Sequence, residues 1–305
     1  METRTFQIDS NNSGIRIDKY LSRAVSDCSR SYLQGLINKG LVEVNGHPVK
    51  KSHRLEYGDR VRLSIPEPEF PDIEPVPMDL DIIYEDKQLM IINKPAGLTV
   101  HPVPGNRKQT LVNGLLAYTS DLSGIAGVKR PGIVHRLDKG TSGALVVAKE
   151  DRSHRHLIRQ FKKRKVTKIY RALVHGQLPY RQGKIEAPIG RNPKNRTKMA
   201  VIDNNSRQAV TGFKLLASSA DYSYVEADLK TGRTHQIRVH FSYIEHPVVG
   251  DEKYGEGRQQ PGVGRQLLHA YQLGFFHPVS GEWKQFIAPI PEDMKEFLEK
   301  IGFTP

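Results

Sequence analysis

The chain has 305 residues, of which 37% are hydrophobic and 26% charged, and a mass of 34.4 kDa. This length predicts roughly two domains, because single hydrophobic cores stop growing before they reach such a size. The ordinary hydrophobic content excludes a globally disordered chain, and no apolar run approaches the ~20 residues that span a bilayer.

The chain is strongly basic, with 46 Lys and Arg against 33 Asp and Glu, a net charge of +13. Such an excess favours a polyanionic partner, since cations that neutralise phosphates release counterions. The single cysteine, Cys28, excludes an internal disulfide and argues against a structural zinc cluster. Because Met1–Phe6 lacks the apolar stretch of a signal peptide, we expect a cytoplasmic protein that does not act at a membrane.

Residues 1–65 predict a small unit of helices and strands. A short helix is expected over Asp18–Val25, and Ser29 is expected to cap a second helix that ends at Lys39. The pair Asn45-Gly46 favours a hairpin turn, and a last strand is expected over Arg60–Ile65. The cations of this unit form either an RNA-binding face or a merely solvated surface, and charge alone leaves both open. The candidate RNA-binding residues are Arg30, Lys50, Lys51 and Arg54.

Three stretches of this unit resemble the S4 RNA-binding module, which grips structured RNA through a helix pair and a loop. They are Arg16–Leu21, Ser29–Ser31 and Leu41–Gly46. The resemblance implies that RNA is the partner of the N-terminal unit.

An acidic, proline-rich stretch follows the N-terminal unit. Residues 66–86 contain eight acids and no Lys or Arg, and the prolines of 66–77 are too dense for a helix or a central strand. We therefore predict an extended linker over 66–79, between a module at 1–65 and a second domain at 80–305.

The second domain is rich in predicted strands. Strands are expected over 89–93, 144–148, 170–174 and 224–229, and helices over 110–118, 153–163 and 291–300. Many strands with few helices predict an α+β fold around a mixed, largely antiparallel sheet. Within this domain, residues 151–214 hold 17 Lys and Arg against 3 Asp and Glu, a net of +14.

The loop Gly132–Gly143 is the best candidate for chemistry. Small and polar residues separate two apolar stretches there, so the loop can present the carboxylate of Asp138 into a cleft. One interpretation is a nucleophilic or proton-abstracting carboxylate flanked by cations. The other is an aspartate that caps a turn with Thr141 and Ser142.

A second candidate lies in the segment 231–240. Thr234 is expected to cap a helix on which Ile237 and Phe241 share the apolar face. Arg238 points either to solvent or into the domain, where a buried guanidinium needs a carboxylate partner. Asp138 is the partner we expect, and the pair would keep that carboxylate ionised.

Tyr170 is a third candidate. A tyrosine in a cleft can stack on a nucleobase, although a tyrosine in a strand is more often part of the core. The sequence contains no glycine-rich nucleotide motif, and His235 and His240 lack metalloprotease spacing. These features argue against a nucleotide cofactor and against a zinc site.

Four segments in order resemble the RluA/RluD-type pseudouridine synthases. They are Asn93–Pro102, His135–Asp138 followed by Thr141–Gly143, Tyr170 with Ala172, and Gly232–Arg238. With the S4-like module and the linker, the order is most similar to the D type, which modifies large-subunit (23S) ribosomal RNA. The resemblance implies the pseudouridine synthase fold and cofactor-free isomerisation of uridine to pseudouridine in RNA.

The resemblance also implies roles for single residues. Asp138 is the essential carboxylate, by covalent attack or by ribose proton abstraction, and Arg238 holds it ionised. Tyr170 stacks on the target base and takes part in removing the C5 proton. Arg136 fills the stack from which the base is extruded. The basic segment 151–214 lies along the RNA backbone.

Two alternatives stay open from the sequence. One is a non-catalytic RNA-binding or ribosome-assembly protein, and the other is a synthase that acts on transfer RNA. The expected partner is ribosomal RNA, in the large subunit or its precursor, and nothing demands more than a monomer.

Overall fold

The computed structural model describes residues 2–25, 28, 30–66, 73–103, 106, 108–124, 131–255, 257–258 and 260–305. The contacts between Cα atoms divide the chain into two compact units, 1–71 and 72–305. The expected cap Ser29 and residues 67–72 of the expected linker lie outside the described ranges, so the predicted boundaries stay predictions. No helix of the described ranges is both long and apolar enough to cross a bilayer.

The N-terminal unit packs two helices against a small antiparallel sheet. Its elements are β1 (Glu2–Gln7), a 3-10 turn (Ser10–Asn12), α1 (Ile17–Ala24), α2 (Arg30–Asn38), β2 (Val42–Val44), β3 (His47–Pro48) and β4 (Arg60–Ile65). The sheet order is β1-β4-β2-β3. The predicted helices, hairpin and last strand are confirmed. Strand β1 was not predicted, because its mostly polar residues lack apolar alternation.

The hairpin turn forms for the reason that the sequence suggested. Asn45 and Gly46 both have positive φ, 52° and 85°, as the favoured two-residue turn requires. The turn pairs β2 with β3, and on its other side β2 pairs with β4, where Val42 and Val44 lie opposite Leu63 and Val61. These four side chains are buried in one apolar core with the inner faces of α1 and α2.

A buried carboxylate joins the two helices of this unit. The side chain of Asp18 is inaccessible to solvent and accepts hydrogen bonds from Arg16, Arg30 and Gln34, the last two at 2.7 Å. Burial by itself would raise the pKa of Asp18, but the three hydrogen bonds lower it to about 2.

We predict that Asp18→Asn destabilises the N-terminal unit by about 1–2 kcal/mol at neutral pH, because the exposed guanidinium partners are partly screened by solvent. The folded-state pKa lies below the ordinary value of 3.8, so this stabilisation exists above pH 3.8 and is lost as the pH falls toward 2. Hydrogen exchange of the α1 and α2 amides in the full chain measures the difference. The matched control Asp9→Asn, which retains a capping side chain, should change exchange by less than about 0.5 kcal/mol. Equal exchange in wild type and D18N would refute the prediction.

The second unit is built on one large sheet. Its elements are β5 (Ile82–Glu85), β6 (Leu89–Lys94), α3 (Leu111–Tyr118), β7 (Ser142–Ala148), α4 (Asp151–Lys162), β8 (Thr167–His175), β9 (Gln182–Glu186), β10 (Ile189–Arg191), β11 (Met199–Val201), β12 (Ser206–Arg207), β13 (Val210–Ser218), β14 (Tyr222–Leu229), α5 (Gln236–Tyr243), β15 (Leu268–Phe276), β16 (Trp283–Ile287) and α6 (Glu292–Lys300). The large sheet has the order β5-β6-β7-β15-β8-β14-β13-β9, with β16 beside β15, and a small sheet has the order β11-β10-β12.

The large sheet is mixed, as predicted. Strands β7 and β15 pair in parallel, whereas the other strand pairs described in this sheet are antiparallel. The fold is therefore α+β with a largely antiparallel sheet, which confirms the predicted class. The predicted strands and helices of this unit are confirmed with shifts of a few residues at their ends.

The sheet separates two apolar layers, because neighbouring residues of a strand point to opposite faces. On one face, Ile92 of β6 and Val147 of β7 pack with side chains of α3 and α5. On the other face, Ile91 and Val146 pack with Leu157 of α4. Helix α6 covers the sheet through a further cluster that includes Leu173.

Residues 73–80 lie against the first of these layers. Ile73 and Leu80 pack on that apolar cluster. The backbone N–H of Val76 donates to the carbonyl of Asn113, whose side-chain amide donates to the carbonyl of Glu74. This part of the expected linker is thus bound to the second unit.

Candidate active site

The loop that carries Asp138 is anchored to the strand that follows it. The ring of His135 stacks on Phe161 with centroids 4.7 Å apart, and its Nε2 accepts the backbone N–H of Val146 at 3.1 Å. That N–H would otherwise be a buried, unpaired donor. Burial and the positive charge of Lys168 lower the pKa of His135 to about 3, so its neutral ring can accept the bond.

Small residues at the end of the loop let two strands approach closely. Gly143 has φ +109°, and a Cβ atom there would lie 2.3 Å from the carbonyl oxygen of Ala270 on β15. The neighbouring Ser142 hydroxyl bonds to His269 Nδ1 at 2.9 Å, and the Thr141 N–H donates to the carbonyl of Asp138. The Thr-Ser-Gly sequence therefore fixes where the loop ends and where β7 begins.

Asp138 lies in the wall of a cleft of about 490 Å³. Its side chain is 20% exposed. The cleft is lined by segments from five regions of the second unit: 97–103, 136–140, 235–238, 250–253 and 264–266. The carboxylate is thus open to a ligand without facing bulk solvent on a flat surface.

Arg238 holds Asp138 and is itself held by a second carboxylate. From α5, its Nη1 donates to Asp138 Oδ2 at 3.0 Å, while Nε and Nη2 donate to the two oxygens of Asp251 at 2.6 and 2.8 Å. The guanidinium also lies over the ring of Tyr254, 5.1 Å from its centroid. Burial opposes the charge of Arg238, but the two carboxylates raise its pKa. The expected pair of Asp138 and Arg238 is present.

The start of α5 differs from the prediction. Thr234 is exposed and does not precede the helix; His235 does, with φ +56°, and it makes no capping bond through its side chain. The side chain of Gln236 instead folds back, and its Oε1 accepts the N–H of Arg233 and the hydroxyl of Thr231. The prediction was wrong because the helix begins one residue later than the Thr234 cap signal indicates, where Gln236 fixes the backbone that leads into the helix.

His235 is a further neighbour of Asp138. Its Nε2 lies 3.8 Å from Asp138 Oδ1, and its Nδ1 lies 2.7 Å from the hydroxyl of Tyr254. That hydroxyl accepts the N–H of Met199 at 2.9 Å and so favours donating its own proton to Nδ1. The remaining ring proton then faces Asp138. Burial lowers the pKa of His235, which favours the neutral ring.

Lys94 holds the backbone of the Asp138 loop through hydrogen bonds to carbonyl groups. Its side chain is fully buried, and its Nζ donates to the carbonyls of Pro95, Leu98 and Lys139 at 2.7, 2.9 and 3.3 Å. Lys94 therefore ties the Asn-Lys-Pro-Ala-Gly segment to the residue that follows Asp138. Burial and the positive charge of Arg265 lower the pKa of Lys94 to about 7, against the opposing charge of Asp138.

Tyr170 lies on β8, opposite Ala227, and is 8% exposed. It packs in the apolar layer beneath the site and is not among the described residues that line the cleft. Burial and the negative charge of Asp138 raise the pKa of its hydroxyl, so the phenol keeps its proton at neutral pH.

The candidate RNA-binding residues occupy different surroundings. Arg136 is exposed at the cleft. In the N-terminal unit, Arg30 is bound to Asp18, and Arg54 donates to the carbonyl of Gly14 at 2.7 Å. Lys50 and Lys51 are exposed. Within the described ranges, no three His, Cys, Asp or Glu side chains gather to hold a metal ion.

Sequence reasoning missed Asp251, the second partner of Arg238. The signal that could have indicated it is its position directly after a short apolar run that ends in glycine, Val248-Val249-Gly250. Tyr254 and Lys94 were missed as well. A buried lysine and an interior tyrosine have no signature at the level of residue spacing.

Comparisons with known proteins agree with this geometry. The profile of the RNA pseudouridylate synthase family matches residues 88–243, and that of the S4 domain matches residues 15–61. The chain is 50% identical over 286 residues to the uncharacterized RNA pseudouridine synthase YlyB of Bacillus subtilis, with 94% of each chain covered. It is 46% identical over 300 residues to ribosomal large subunit pseudouridine synthase D of Neisseria meningitidis, covering 95% of this chain and 79% of the relative.

A solved structure shares the fold. Human RNA pseudouridylate synthase domain containing 4 is 26% identical, with a TM-score of 0.58, and the match covers 72% of this chain and 92% of that one. The chain therefore belongs to the RNA pseudouridylate synthase family and carries an S4 domain. It is an RNA pseudouridine synthase, an enzyme of the isomerase class, and the purely RNA-binding alternative is not favoured.

We predict that Asp251→Asn destabilises the second unit by about 2–4 kcal/mol, because it leaves the buried Arg238 with one carboxylate instead of two. Urea unfolding of the full chain, followed by the fluorescence of the single tryptophan, Trp283, reports on this unit. The matched control is Asp293→Asn, whose partnership with Arg265 is half exposed; it should cost less than about 1 kcal/mol. If both variants were destabilised equally, Asp251 would not have the role assigned to it.

Proposed function

We propose that this enzyme isomerises uridines of large-subunit ribosomal RNA, with Asp138 as the essential carboxylate. One observation carries the assignment of Asp138: its side chain faces the cleft, while the guanidinium that binds it is anchored from behind by Asp251. Support for the substrate comes from the S4 domain and from the D-type relative, which is named for the ribosomal large subunit.

The reaction is an isomerisation, so no group is gained or lost. The C1′–N1 bond of uridine breaks, the uracil rotates, C5 bonds to C1′, and the proton from C5 is replaced by one on N1. In the covalent route, the Asp138 carboxylate attacks C1′ and is later displaced by C5. In the other route, it removes a ribose proton and later returns it. Both routes need an ionised oxygen, which Arg238 stabilises.

Tyr170 is proposed to stack on the target base and to take part in removing the C5 proton. In the free protein, burial and the charge of Asp138 keep the hydroxyl protonated. In the covalent route, Asp138 loses that charge when its ester forms, which removes the smaller of the two causes that raise the pKa of Tyr170 before the C5 proton leaves. The two side chains would thus act in sequence.

Arg136 is proposed to enter the RNA stack from which the uridine is extruded. Its exposure at the cleft supports this role, because a guanidinium can stack on bases and bond their edges. Arg30, Lys50, Lys51 and Arg54 are proposed to bind RNA from the S4 domain. A monomer, a cytoplasmic location and independence of any cofactor stay predictions.

We predict that Asp138→Asn lowers turnover by at least about 10³-fold and leaves RNA affinity within about twofold. The variant should fold normally, because Arg238 keeps both of its bonds to Asp251. Chemical mapping of pseudouridine in a large-subunit ribosomal RNA transcript measures turnover, and filter binding measures affinity. Modification at the wild-type rate would remove Asp138 from the mechanism. Modification of transfer RNA alone by the wild-type enzyme would overturn the proposed substrate.

We predict that Tyr170→Phe retains RNA affinity within about twofold and slows turnover at least about tenfold, because the ring remains and the hydroxyl is removed. Tyr170→Leu, which also removes the ring, should weaken both. Single-turnover kinetics on the same transcript separates the two effects. Full turnover by the phenylalanine variant would show that the hydroxyl has no part in proton transfer.

A further inference from the structure

Four cations from separate elements converge beside the proposed active site. They are Lys168 on β8, Arg207 on β12 and Arg233 before α5, joined by Arg164 after α4, whose charge acts on Lys168 and Arg233. Together they are called the cation cluster. Arg233 Nε donates to the carbonyl of Gln208, the neighbour of Arg207, at 3.1 Å. Lys168 Nζ lies 3.5 Å from the carbonyl of Thr231 and 3.9 Å from the point where a Cβ on Gly232 would be.

The four positive charges are close enough to oppose one another. Burial, together with the charges of Arg164 and Arg233, lowers the pKa of Lys168 to about 8 against the opposing charge of Asp228. Burial and the charges of Arg207 and Arg164 lower the pKa of Arg233. An arginine whose pKa falls is unusual, because its charge is normally stabilised by an acidic partner.

The local carboxylate does not balance this charge. Asp228 is the negative group that acts on Lys168, but it is already in a salt bridge with Lys230 at 2.5 Å. No salt bridge joins any of the four cations to a carboxylate in the described ranges. A concentration of uncompensated cations around a partly buried lysine is a favourable place for an anion.

The cation cluster lies within reach of RNA bound in the cleft. Arg233 is two residues from His235, so their Cα atoms are at most about 7 Å apart, and His235 lies 3.8 Å from Asp138. Lys168 is two residues from Tyr170 and shares its face of β8. An anion at the cluster is therefore close to the place of the target uridine without touching Asp138.

We propose that the cation cluster binds a backbone phosphate of the RNA strand next to the target nucleotide and so positions that strand. The inference rests on the proposed RNA substrate. The four residues are positioning residues, because they do not touch the reacting atoms. Backbone phosphates carry the anionic charge of RNA in every sequence, so the site adds affinity and register rather than choice of base.

The test compares the double variant Arg207→Gln/Arg233→Gln with a control of equal charge, Lys295→Gln/Lys300→Gln. The control lysines lie on α6, which packs on the face of β8 that carries Leu173. The neighbouring Ala172 and Val174 point to the opposite face, into the layer beneath the active site, so the control lies on the other side of the sheet. The probe is a large-subunit ribosomal RNA transcript. Its affinity is measured over a series of KCl concentrations, and kcat and KM are measured at one of them.

For the cluster variant we expect KM to rise about tenfold with kcat within about twofold. The slope of log affinity against log salt should fall by about 0.7–0.9 for each phosphate that the variant no longer neutralises. The control should change none of these quantities. Arg233→Lys, which keeps the positive charge, should retain most of the wild-type slope. If the double variant fails to fold, the single glutamine variants are measured instead.

Three results would overturn the proposal: a wild-type salt slope in the cluster variant, an equal change in the control, or a decrease confined to kcat. Failure of the proposed substrate gives a different pattern. The wild-type enzyme would then leave this transcript unmodified. The salt dependence of binding would instead be measured with total cellular RNA. A wild-type slope in the cluster variant would overturn the phosphate site there too.

Discussion

One guanidinium shared between two carboxylates is the interaction on which the site depends. Arg238 is buried, and the cost of burying its charge is offset by the fully enclosed Asp251 before Asp138 contributes at all. Asp251 therefore fixes the direction of the guanidinium, and the third hydrogen bond fixes Asp138. A carboxylate exposed to the cleft can then stay oriented while a ligand comes and goes, because its partner does not need it for stability.

Residues around these three side chains hold the backbone of the loop that carries Asp138. His135 and Lys94 hold the backbone of the Asp138 loop, one by accepting a strand N–H and the other by donating to three carbonyls. Gly143 lets the end of the loop lie against β15. His135 and Gly143 lie in the same loop as Asp138, and Lys94 lies in the Asn93–Pro102 segment that is bonded to this loop. Much of both segments therefore serves to orient the side chain of Asp138.

Most of the fold was predictable from the sequence, because its strands are short apolar runs and its helices have regular apolar faces. The Asn45-Gly46 hairpin and the apolar side of α5 are examples where local pattern and structure agree. The pair of Asp138 and Arg238 was predictable from charge burial, since a buried arginine needs a partner. Asp251, Tyr254 and Lys94 were not, because their importance arises from contacts between distant segments. Strand β1 and the role of Gln236 were missed for a related reason: tertiary pairing overrides weak local signals.

The parallel pairing of β7 with β15 has a consequence for when the protein becomes active. Ser142 and His269 bond at a separation of 127 positions in the sequence, and Asp138 and Arg238 at a separation of 100. Closing such long loops is slow, since their entropy is given up before the contacts form. Asp138 thus meets Arg238 late in folding, and a nascent or partly unfolded polypeptide lacks this ion pair and the cleft around it.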